Sequence, residues 1–413
     1  EAPVSSGARR ITVLRPAVVF SDGAAQPRVA VVVHSNILGA VRARIDTYEA
    51  DLEAAGFTAV RVVYADGSAA DVRDVLKGLY DEAGALAGAV LVGNIPHIIY
   101  EQMQDWDGEG GAPAQYEDYP CDLFYMDLDG TWTDCTSNGL VQPANGKYDT
   151  RAGNLDLEIW VCRIKTDTLP AQGGEAALVA GYFEKNHRYR SKELATERRA
   201  LVYNDDDWAC IAGADAANAS MLYESSAITI VASNEQTTVP DYKQNGMAAS
   251  YELVSLRSHG YYAGHGFYSD DRSQFGFVYP ADYRALQPRA LFYSLFVCSG
   301  ADFTRDNYLA GSISMNSGDA GLVCWGSTKT GGMFNEFPFY QELSMQTVVG
   351  EAFRQWFNYM QATLDQPTCE TWLYGMALIG DAAAIPAAHT PEPAAGILAS
   401  AGMVLVRRRM ARG

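Results

Sequence analysis

An imidazole and a thiol, the two side chains that thiol-dependent acyl transfer needs, each follow a short apolar run of the chain. His265 follows residues 260–264, and Cys298 follows residues 290–297. Apolar runs of this length, rich in aromatic and branched residues, are typical of buried strands in a parallel sheet, whose carboxyl ends meet at one edge. The pattern therefore predicts that His265 and Cys298 share that edge, where the imidazole can activate the thiol and carry its proton.

A histidine or a cysteine alone at a strand end is more often a packing residue than a catalytic one. Here the two occur together and small residues follow both, Gly266 after the histidine and Ser299-Gly300 after the cysteine. Small residues leave room for a substrate backbone to approach, so the joint pattern favours a catalytic pair. A second histidine, His259, lacks the spacing and the nearby ligands of a zinc site, and we interpret it as a packing or rim residue.

The segments that carry the pair, YAGHG at 262–266 and FVCSGADF at 296–303, resemble the sequence blocks of the gingipain-like cysteine peptidases, which form peptidase family C25 of the caspase-like clan. The separation of the histidine and the cysteine also fits that family, whereas Val297 stands where the gingipains have alanine. Further segments match the strand ends of the family in the same order: LVGNIP at 91–96, EIWVCRI at 158–164, WGST at 325–328 and GD at 380–381. The resemblance extends from about residue 11 to about residue 387.

The resemblance implies a caspase-like α/β/α sandwich with a mostly parallel sheet, built from two tandem α/β subdomains. It also implies a cysteine-type endopeptidase, a hydrolase, in which Cys298 is the nucleophile and His265 is the general acid and base. The backbone N–H groups of Cys298 and Gly266 would form the oxyanion hole, where one donor is worth about 3 kcal/mol of barrier. This chemistry requires no cofactor.

In the family a carboxylate that follows an upstream strand orients the histidine, and residues 201–205 resemble that strand. Asp205 is the best match for the carboxylate, although Asp206 and Asp207 stand beside it. In the arginine-selective members an acidic residue at the start of the next helix forms the bottom of the substrate pocket, and Asp215 is the nearest match. The alternative for Asp215 is an ordinary first-turn acid, which the helix dipole favours.

A carboxylate at Asp215 would bind a guanidinium group bidentately and favour arginine or lysine before the scissile bond. Met333 lies in the segment where the relatives carry an aromatic wall of the pocket. Lys329 precedes it in the same segment and would repel a basic substrate. The sequence therefore leaves the preference for arginine or lysine open.

Composition agrees with a large globular enzyme, since the 413 residues are 48% apolar and 20% charged. The formal net charge of −19 argues against nucleic acid as a partner and fits an extracellular protein. The chain begins at Glu1 without an initiator methionine, which suggests a mature end left by removal of a signal peptide. Of the seven cysteines, those other than Cys298 could form up to three disulfides in an oxidising compartment, or could be buried thiols.

The segment 388–413 has a composition of its own. Pro391-Glu392-Pro393 is followed by an apolar run at 394–406 and by three arginines at 407–409. The apolar run is short of the roughly 20 residues that span a bilayer. The order resembles the PEP-CTERM sorting signal of Gram-negative bacteria, on which an exosortase-type enzyme acts. It predicts a secreted protein of the cell surface or extracellular matrix that contacts a membrane only through this tail.

Strand and helix patterns alternate along the body of the chain. Strands are expected at 29–33, 59–64 and 89–92, and helices at 40–55, 69–86, 175–189, 215–226 and 347–362. This βαβα order indicates a parallel sheet covered by helices on both faces. We divide the chain into an N-terminal α/β subdomain (1–170), a catalytic subdomain (171–387) and the sorting segment (388–413).

Oxygen donors are concentrated between residues 127 and 149. Asp127, Asp129, Asp134, Asn138 and Asp149 surround embedded glycines, as the ligands of calcium loops do. The loop is not an EF-hand, because Asn138 stands where the bidentate glutamate would be. The pattern predicts a structural calcium ion, and the alternative is a set of polar turns.

The leading hypothesis is a secreted cysteine endopeptidase that acts on protein or peptide substrates through a thioester acyl-enzyme. One alternative is a catalytically silent surface or matrix protein that keeps a peptidase fold, because a fold does not guarantee its chemistry. Another alternative is a transpeptidase or ligase that uses the same thiol.

Overall fold

The computed structural model of the protein describes residues 10–14, 26–82, 86–104, 114–194, 196–269, 271–316 and 318–386. The predicted sorting segment 388–413 lies outside these residues. The strands are β1 (Arg10–Leu14), β2 (Arg28–His34), β3 (Thr58–Asp66), β4 (Leu86–Val92), β5 (Ile99–Gln104), β6 (Gln115–Pro120), β7 (Thr131–Thr133), β8 (Thr150–Ala152), β9 (Trp160–Ile164), β10 (Ala200–Asn204), β11 (Ile228–Val231), β12 (Leu253–Arg257), β13 (His259–Tyr261), β14 (Gly264–Tyr268), β15 (Phe275–Val278), β16 (Phe292–Phe296), β17 (Val323–Ser327) and β18 (Met376–Gly380).

The α-helices are α1 (Ser35–Ala54), α2 (Ala69–Asp81), α3 (Leu123–Met126), α4 (Glu175–Arg190), α5 (Ala212–Ala219), α6 (Val239–Asp241), α7 (Pro280–Leu286), α8 (Leu309–Ser314), α9 (Phe337–Ser344), α10 (Val349–Thr363) and α11 (Gln366–Trp372). Two 3₁₀ helices (Asp206–Ile211 and Ser225–Ala227) and one π-helix (Tyr242–Met247) complete the helical elements. Within the described part of the chain, no helix combines the length and the apolar character needed to cross a membrane.

Eleven strands form one central sheet in the order β1-β3-β2-β4-β9-β18-β17-β16-β12-β10-β11. Neighbouring strands are parallel except at β1–β3 and at β17–β18. The antiparallel pair β17–β18 therefore joins two parallel half-sheets that run in opposite directions. This architecture confirms the predicted α/β class with a mostly parallel sheet.

Three smaller sheets stand beside the central one. A three-stranded antiparallel sheet has the order β13-β14-β15 and follows directly on β12, and β5–β6 and β7–β8 form hairpins. The predicted boundary near residue 170 falls between β9 and β10. Because β18 pairs with both β9 and β17, the central sheet runs unbroken across it, and the division into two subdomains stays a prediction.

The central strands are almost continuously apolar because both faces of the sheet are covered. In β2 every residue between Arg28 and His34 is buried, the pattern typical of a parallel sheet packed on two sides. Helix α1 begins at Ser35, five residues earlier than expected, because the His34 side chain accepts a hydrogen bond from the Asn36 N–H and caps the helix.

Two expectations about the later elements are corrected. Residues 260–264 do not form one strand of the parallel sheet, since they lie in β13, in the turn after it and at the start of β14. The helix expected from Asp215 begins instead at Ala212 and ends at Ala219. A 3₁₀ helix joins β10 to α5, so the apolar pattern alone gave the wrong bounds for this helix.

Candidate active site

Strands β12 and β16 are parallel neighbours, and their carboxyl ends define the candidate site. Their register pairs Arg257 with Phe296, and the Ser258 N–H continues it by donating to the Phe296 carbonyl at 3.2 Å. His259 and Cys298 each follow that pair by two residues. Because neighbouring strands lie about 5 Å apart, this register brings an imidazole and a thiol side by side at one edge of the sheet.

Cys298 occupies a tight turn just beyond β16. Ser299 has a φ of 55°, a left-handed conformation that is uncommon for a residue with a side chain and that concentrates at functional turns. The turn is fixed by the Ser299 N–H, which donates to the Lys329 carbonyl at 2.7 Å. The Gly331 N–H points at the Cys298 sulfur from 3.4 Å. Burial raises the pKa of the thiol, which is therefore protonated before substrate arrives.

His259 lies at the surface, with 42% of its side chain exposed, and is oriented by a carboxylate. Its Nε2 lies 2.7 Å from Oδ2 of Asp207, and its ring packs against Trp208 with the centroids 4.7 Å apart. The Asp207 pKa is lowered by the neighbouring Arg272 guanidinium and by His259, so this carboxylate is ionised and accepts the Nε2 proton. The lone pair of a neutral His259 is therefore on Nδ1, the nitrogen left for proton transfer.

Asp205, the carboxylate expected to orient the histidine, precedes Asp207 by two residues and is more deeply buried. Its N–H donates to the Arg257 carbonyl at 2.8 Å, and the residue is fully buried. Neither of its carboxylate oxygens has a hydrogen-bond partner among the described residues. Burial raises the pKa of Asp205 to about 6. In the structure the hydrogen bond to the His259 ring is therefore made by Asp207 and not by Asp205. The sequence had left this open, because three aspartates follow one another there.

His265, the histidine expected at the catalytic edge, is inside β14, the middle strand of the antiparallel sheet. It is 0% exposed, its Nε2 lies 2.9 Å from the Tyr283 hydroxyl, and its ring packs on Tyr242 and Phe267. Burial, opposed by the charge of Asp282, lowers the pKa of His265 to about 3. The expectation that His265 ends a strand of the parallel sheet is therefore corrected.

Glycines explain why the chain leaves the central sheet here. A Cβ at Gly260 would lie 2.5 Å from the Gly264 carbonyl oxygen, and Gly264 has a φ of +150°. Both features belong to a tight antiparallel hairpin that only glycine permits. Gly266 is also enclosed, because its Cβ would lie 2.4 Å from the Gly276 carbonyl oxygen. Gly266 pairs with His259 across the β13–β14 hairpin, and its expected place in the oxyanion hole stays a prediction.

The predicted substrate-pocket residues are both buried. Asp215 accepts hydrogen bonds from Arg257, from Nε at 2.6 Å and from Nη2 at 2.8 Å, so its carboxylate is already neutralised within the chain. Met333 is 1% exposed and belongs to the core. Lys329 does not point at substrate either, since its ammonium group binds Glu117 at 3.1 Å and the Thr371 carbonyl at 2.9 Å.

The predicted calcium ligands are not gathered around one point. Asp134 and Asp149 accept backbone hydrogen bonds of the β7–β8 hairpin, and Asn138 forms an isolated bridge with Val141. Oxygens of Asp127, Asp129 and Glu158 lie within 4.8 Å of one another. Asp127 is nevertheless neutralised by Arg151, whose Nε lies 2.5 Å from Oδ2. A divalent cation would have to compete with this arginine, and calcium at the five predicted residues stays a prediction.

The seven cysteines are all free thiols, four of them fully buried and Cys135 and Cys210 exposed. The six cysteines other than Cys298 therefore form no disulfide in this structure. Cys298 is the partly exposed member of the set.

His259 is the site residue that sequence reasoning passed over. The chain contains two His-Gly pairs six residues apart. The second pair was predicted to be catalytic because its spacing to Cys298 fits the family. The apolar run LVSLR, which forms β12, ends two residues before His259. The signal for it was that LVSLR contains branched residues typical of a buried strand, whereas the run 260–264 begins and ends with glycine.

A scan against protein-family models matches residues 24–387 to Peptidase family C25. No curated protein matches the chain. The matched region contains both half-sheets and the neighbouring strand ends that His259 and Cys298 follow. Because the family model covers most of the chain, the protein belongs to peptidase family C25, the gingipain-like family, and is a cysteine-type peptidase, a hydrolase.

Proposed function

We propose that the protein is an endopeptidase in which Cys298 is the nucleophile, His259 is the general acid and base, and Asp207 holds His259 in place. The observation that carries the proposal is the register of β12 and β16, which puts His259 and Cys298 at neighbouring strand ends. The 2.7 Å contact of Asp207 with Nε2 supports the third role. This assignment keeps the predicted nucleophile and replaces His265 and Asp205.

The raised pKa of the Cys298 thiol determines how the reaction begins. As the sulfur attacks the peptide carbonyl carbon, the thiol proton passes to Nδ1 of His259. The tetrahedral intermediate then collapses, the C–N bond breaks, and His259 returns the proton to the leaving amine. Water attacks the resulting thioester while His259 takes one of its protons, and the thiol is regenerated when the acid product leaves.

The oxyanion of the tetrahedral intermediate needs hydrogen-bond donors close to the nucleophile. We assign this role to the backbone N–H groups of Cys298 and of Gly260, the glycine that follows the reassigned histidine. Loss of one such donor costs about 3 kcal/mol of barrier. Gly260 tolerates no side chain in this hairpin, so a substitution there would test folding and catalysis together.

The biological setting proposed for the peptidase is outside the cell. Its support is the acidic net charge of −19 and the order Pro-Glu-Pro, apolar run and arginine cluster in segment 388–413. An exosortase-type enzyme would act on that segment, and protein or peptide substrates would meet the catalytic edge. Deletion of residues 388–413 should leave peptide hydrolysis intact and release the protein from the surface of a Gram-negative host.

The test of the catalytic proposal is labelling of the purified protein with acyloxymethyl-ketone probes, with peptide hydrolysis measured in parallel. We expect Cys298→Ala to abolish labelling and hydrolysis. Cys135→Ala, which removes an exposed thiol in the β7–β8 hairpin, is the matched control and should retain both. Folded wild-type protein that neither labels nor cleaves would contradict the proposal. An added amine that captures the acyl group in place of water would indicate a ligase.

A further inference from the structure

The carboxylate expected to receive a substrate arginine is occupied by an arginine of the chain itself. Oδ2 of Asp215 accepts from Arg257 Nε at 2.6 Å and from Asn204 Nδ2 at 2.8 Å, and Oδ1 accepts from Arg257 Nη2 at 2.8 Å. Arg257 comes from the carboxyl end of β12, two residues before His259. The bidentate geometry that recognises a guanidinium is therefore already used, at the place where a substrate guanidinium would have to bind.

Arg257 is held from its other side as well. Its Nη2 lies 3.2 Å from Oε1 of Glu336, which also accepts a hydrogen bond from the Ser294 hydroxyl at 2.9 Å. Asp215, Arg257 and Glu336 are all buried. A basic substrate side chain would have to separate this buried ion pair and leave Arg257 without its partner, which is strongly unfavourable.

Aromatic side chains lie between the ion pair and the solvent. The guanidinium of Arg257 is 4.8 Å from the centre of the Phe296 ring. Around Phe296 stand Trp208 at 5.6 Å and Trp372 at 6.2 Å between ring centroids, and Phe334 stacks on Trp372 at 5.4 Å. We call these four partly exposed residues the Phe296 cluster.

The Phe296 cluster adjoins both catalytic residues. Phe296 is two residues before Cys298, and Trp208 contacts the His259 ring. The Gly331 N–H reaches the Cys298 sulfur, and a Cβ at Gly332 would lie 2.6 Å from the Phe296 ring, so this loop runs from the nucleophile to the cluster. A substrate side chain placed on this side of Cys298 would thus meet aromatic surface.

We propose that the peptidase cleaves after apolar residues, aromatic ones included, and discriminates against arginine and lysine. Arg257 is the residue that sets this preference, because it neutralises Asp215, and the Phe296 cluster supplies the apolar contact. The inference rests on the proposed function, since it requires that Cys298 attack a peptide bond. It replaces the arginine or lysine preference that the sequence had left open.

The first test is a panel of peptides that differ only in the residue before the scissile bond: phenylalanine, leucine, alanine, citrulline, arginine and lysine. We expect kcat/KM for phenylalanine and leucine to exceed that for arginine by about tenfold or more. Citrulline, which has nearly the shape of arginine without its charge, should be cleaved faster than arginine. A wild-type preference for arginine or lysine would overturn the inference while leaving the catalytic proposal standing. Absence of any Cys298-dependent cleavage would overturn both.

The second test removes the internal arginine. In Arg257→Met the Asp215 carboxylate is released, and we expect the ratio of arginine to phenylalanine cleavage to rise about tenfold or more. The matched double variant Arg257→Met with Asp215→Asn should not show that rise. Because these variants alter a buried cluster, Phe334→Ala serves as a surface test, and it should reduce cleavage after phenylalanine more than cleavage after alanine. An unchanged ratio in a folded Arg257→Met protein, or equal losses in Phe334→Ala, would count against the inference.

Discussion

The two His-Gly pairs of this chain are six residues apart and share a dipeptide, yet they occupy opposite kinds of environment. His259 leaves the end of a central parallel strand, is 42% exposed and is bound by an ionised aspartate. His265 sits in the middle of an antiparallel sheet, is 0% exposed and is surrounded by aromatic rings. One imidazole can exchange protons with a substrate at the edge of the sheet, and the other is enclosed in the core.

The contrast shows that position in the sheet, more than the dipeptide, decides the role of the histidine. At the carboxyl end of β12 the chain leaves the central sheet, and His259 begins β13, the edge strand of the small sheet, at the place where α/β sheets bind ligands. Six residues later the chain has folded back, and the second pair is enclosed by β13 and β15. The burial that lowers the pKa of His265 also removes it from substrate.

The largest expected effect separates the two histidines directly. His259→Gln should lower kcat/KM for peptide hydrolysis by about 10²- to 10⁴-fold, because it removes the general acid and base. His265→Gln, normalised to the fraction of protein that probes label at Cys298, should lower it by less than about tenfold. A folded His265→Gln protein with the larger loss would restore the assignment made from the sequence.

A smaller effect is expected from the two aspartates that the sequence could not distinguish. Asp207→Asn should lower kcat by about ten- to a hundredfold and leave KM within about twofold, because Asp207 positions His259 and does not touch substrate. The effect should be below the roughly 10⁴-fold loss at a buried triad carboxylate, since Asp207 is exposed and shared with Arg272.

Asp205→Asn is the matched variant and should change kcat by less than about threefold. The folded-state pKa of Asp205, about 6, is above its usual 3.8, so the ionised carboxyl opposes folding at pH 8 and this cost disappears as the pH falls through 6 towards 4. The melting temperature of Asp205→Asn should therefore exceed that of the wild type at pH 8, and the difference should be much smaller at pH 4. A large loss of kcat in Asp205→Asn with none in Asp207→Asn would reverse the two roles.

The smallest effect is on stability and concerns the buried histidine. His265 has a folded-state pKa of about 3, below the ordinary 6.5, so between these values the unfolded chain binds one more proton than the folded protein. The free energy of unfolding should lose up to about 1.4 kcal/mol per pH unit as the pH falls below 6.5. Urea unfolding between pH 7 and pH 4.5 should give a shallower dependence in His265→Gln. Equal slopes in the two proteins would show that His265 is not held neutral.

Much of the architecture could be predicted from the chain alone because it depends on long apolar patterns. The strands at 29–33 and 59–64 lie inside β2 and β3, and the helix expected at 175–189 is α4 with one further residue. These elements pack on both faces of the sheet, so their periodicity is strong. Cys298 was found for the same reason, since it follows the buried apolar strand β16.

The rest of the site could not be predicted from apolar periodicity, because it depends on contacts between residues that the pattern does not reveal. A run of small and aromatic residues at 260–264 satisfies the pattern of a buried strand, but the tight approach of Gly260 to Gly264 makes it a hairpin. Asp215 and Arg257 are 42 positions apart in the sequence. The residues around each of them do not indicate that the two side chains pair. Charge partners of this kind become visible only when the strand register is known.

The reversal of direction at β17–β18 has a consequence for how the molecule is made. The strand that links the two half-sheets, β18, is the last strand among the described residues, and its Ile379 pairs with Arg163 across more than 200 residues of chain. During synthesis the first half-sheet emerges with its β9 edge uncovered, and it stays so until β18 has left the ribosome. Such a long-range closure is slow to form and exposes strand edges meanwhile. A nascent fragment therefore holds both Cys298 and His259 well before it holds a complete sheet.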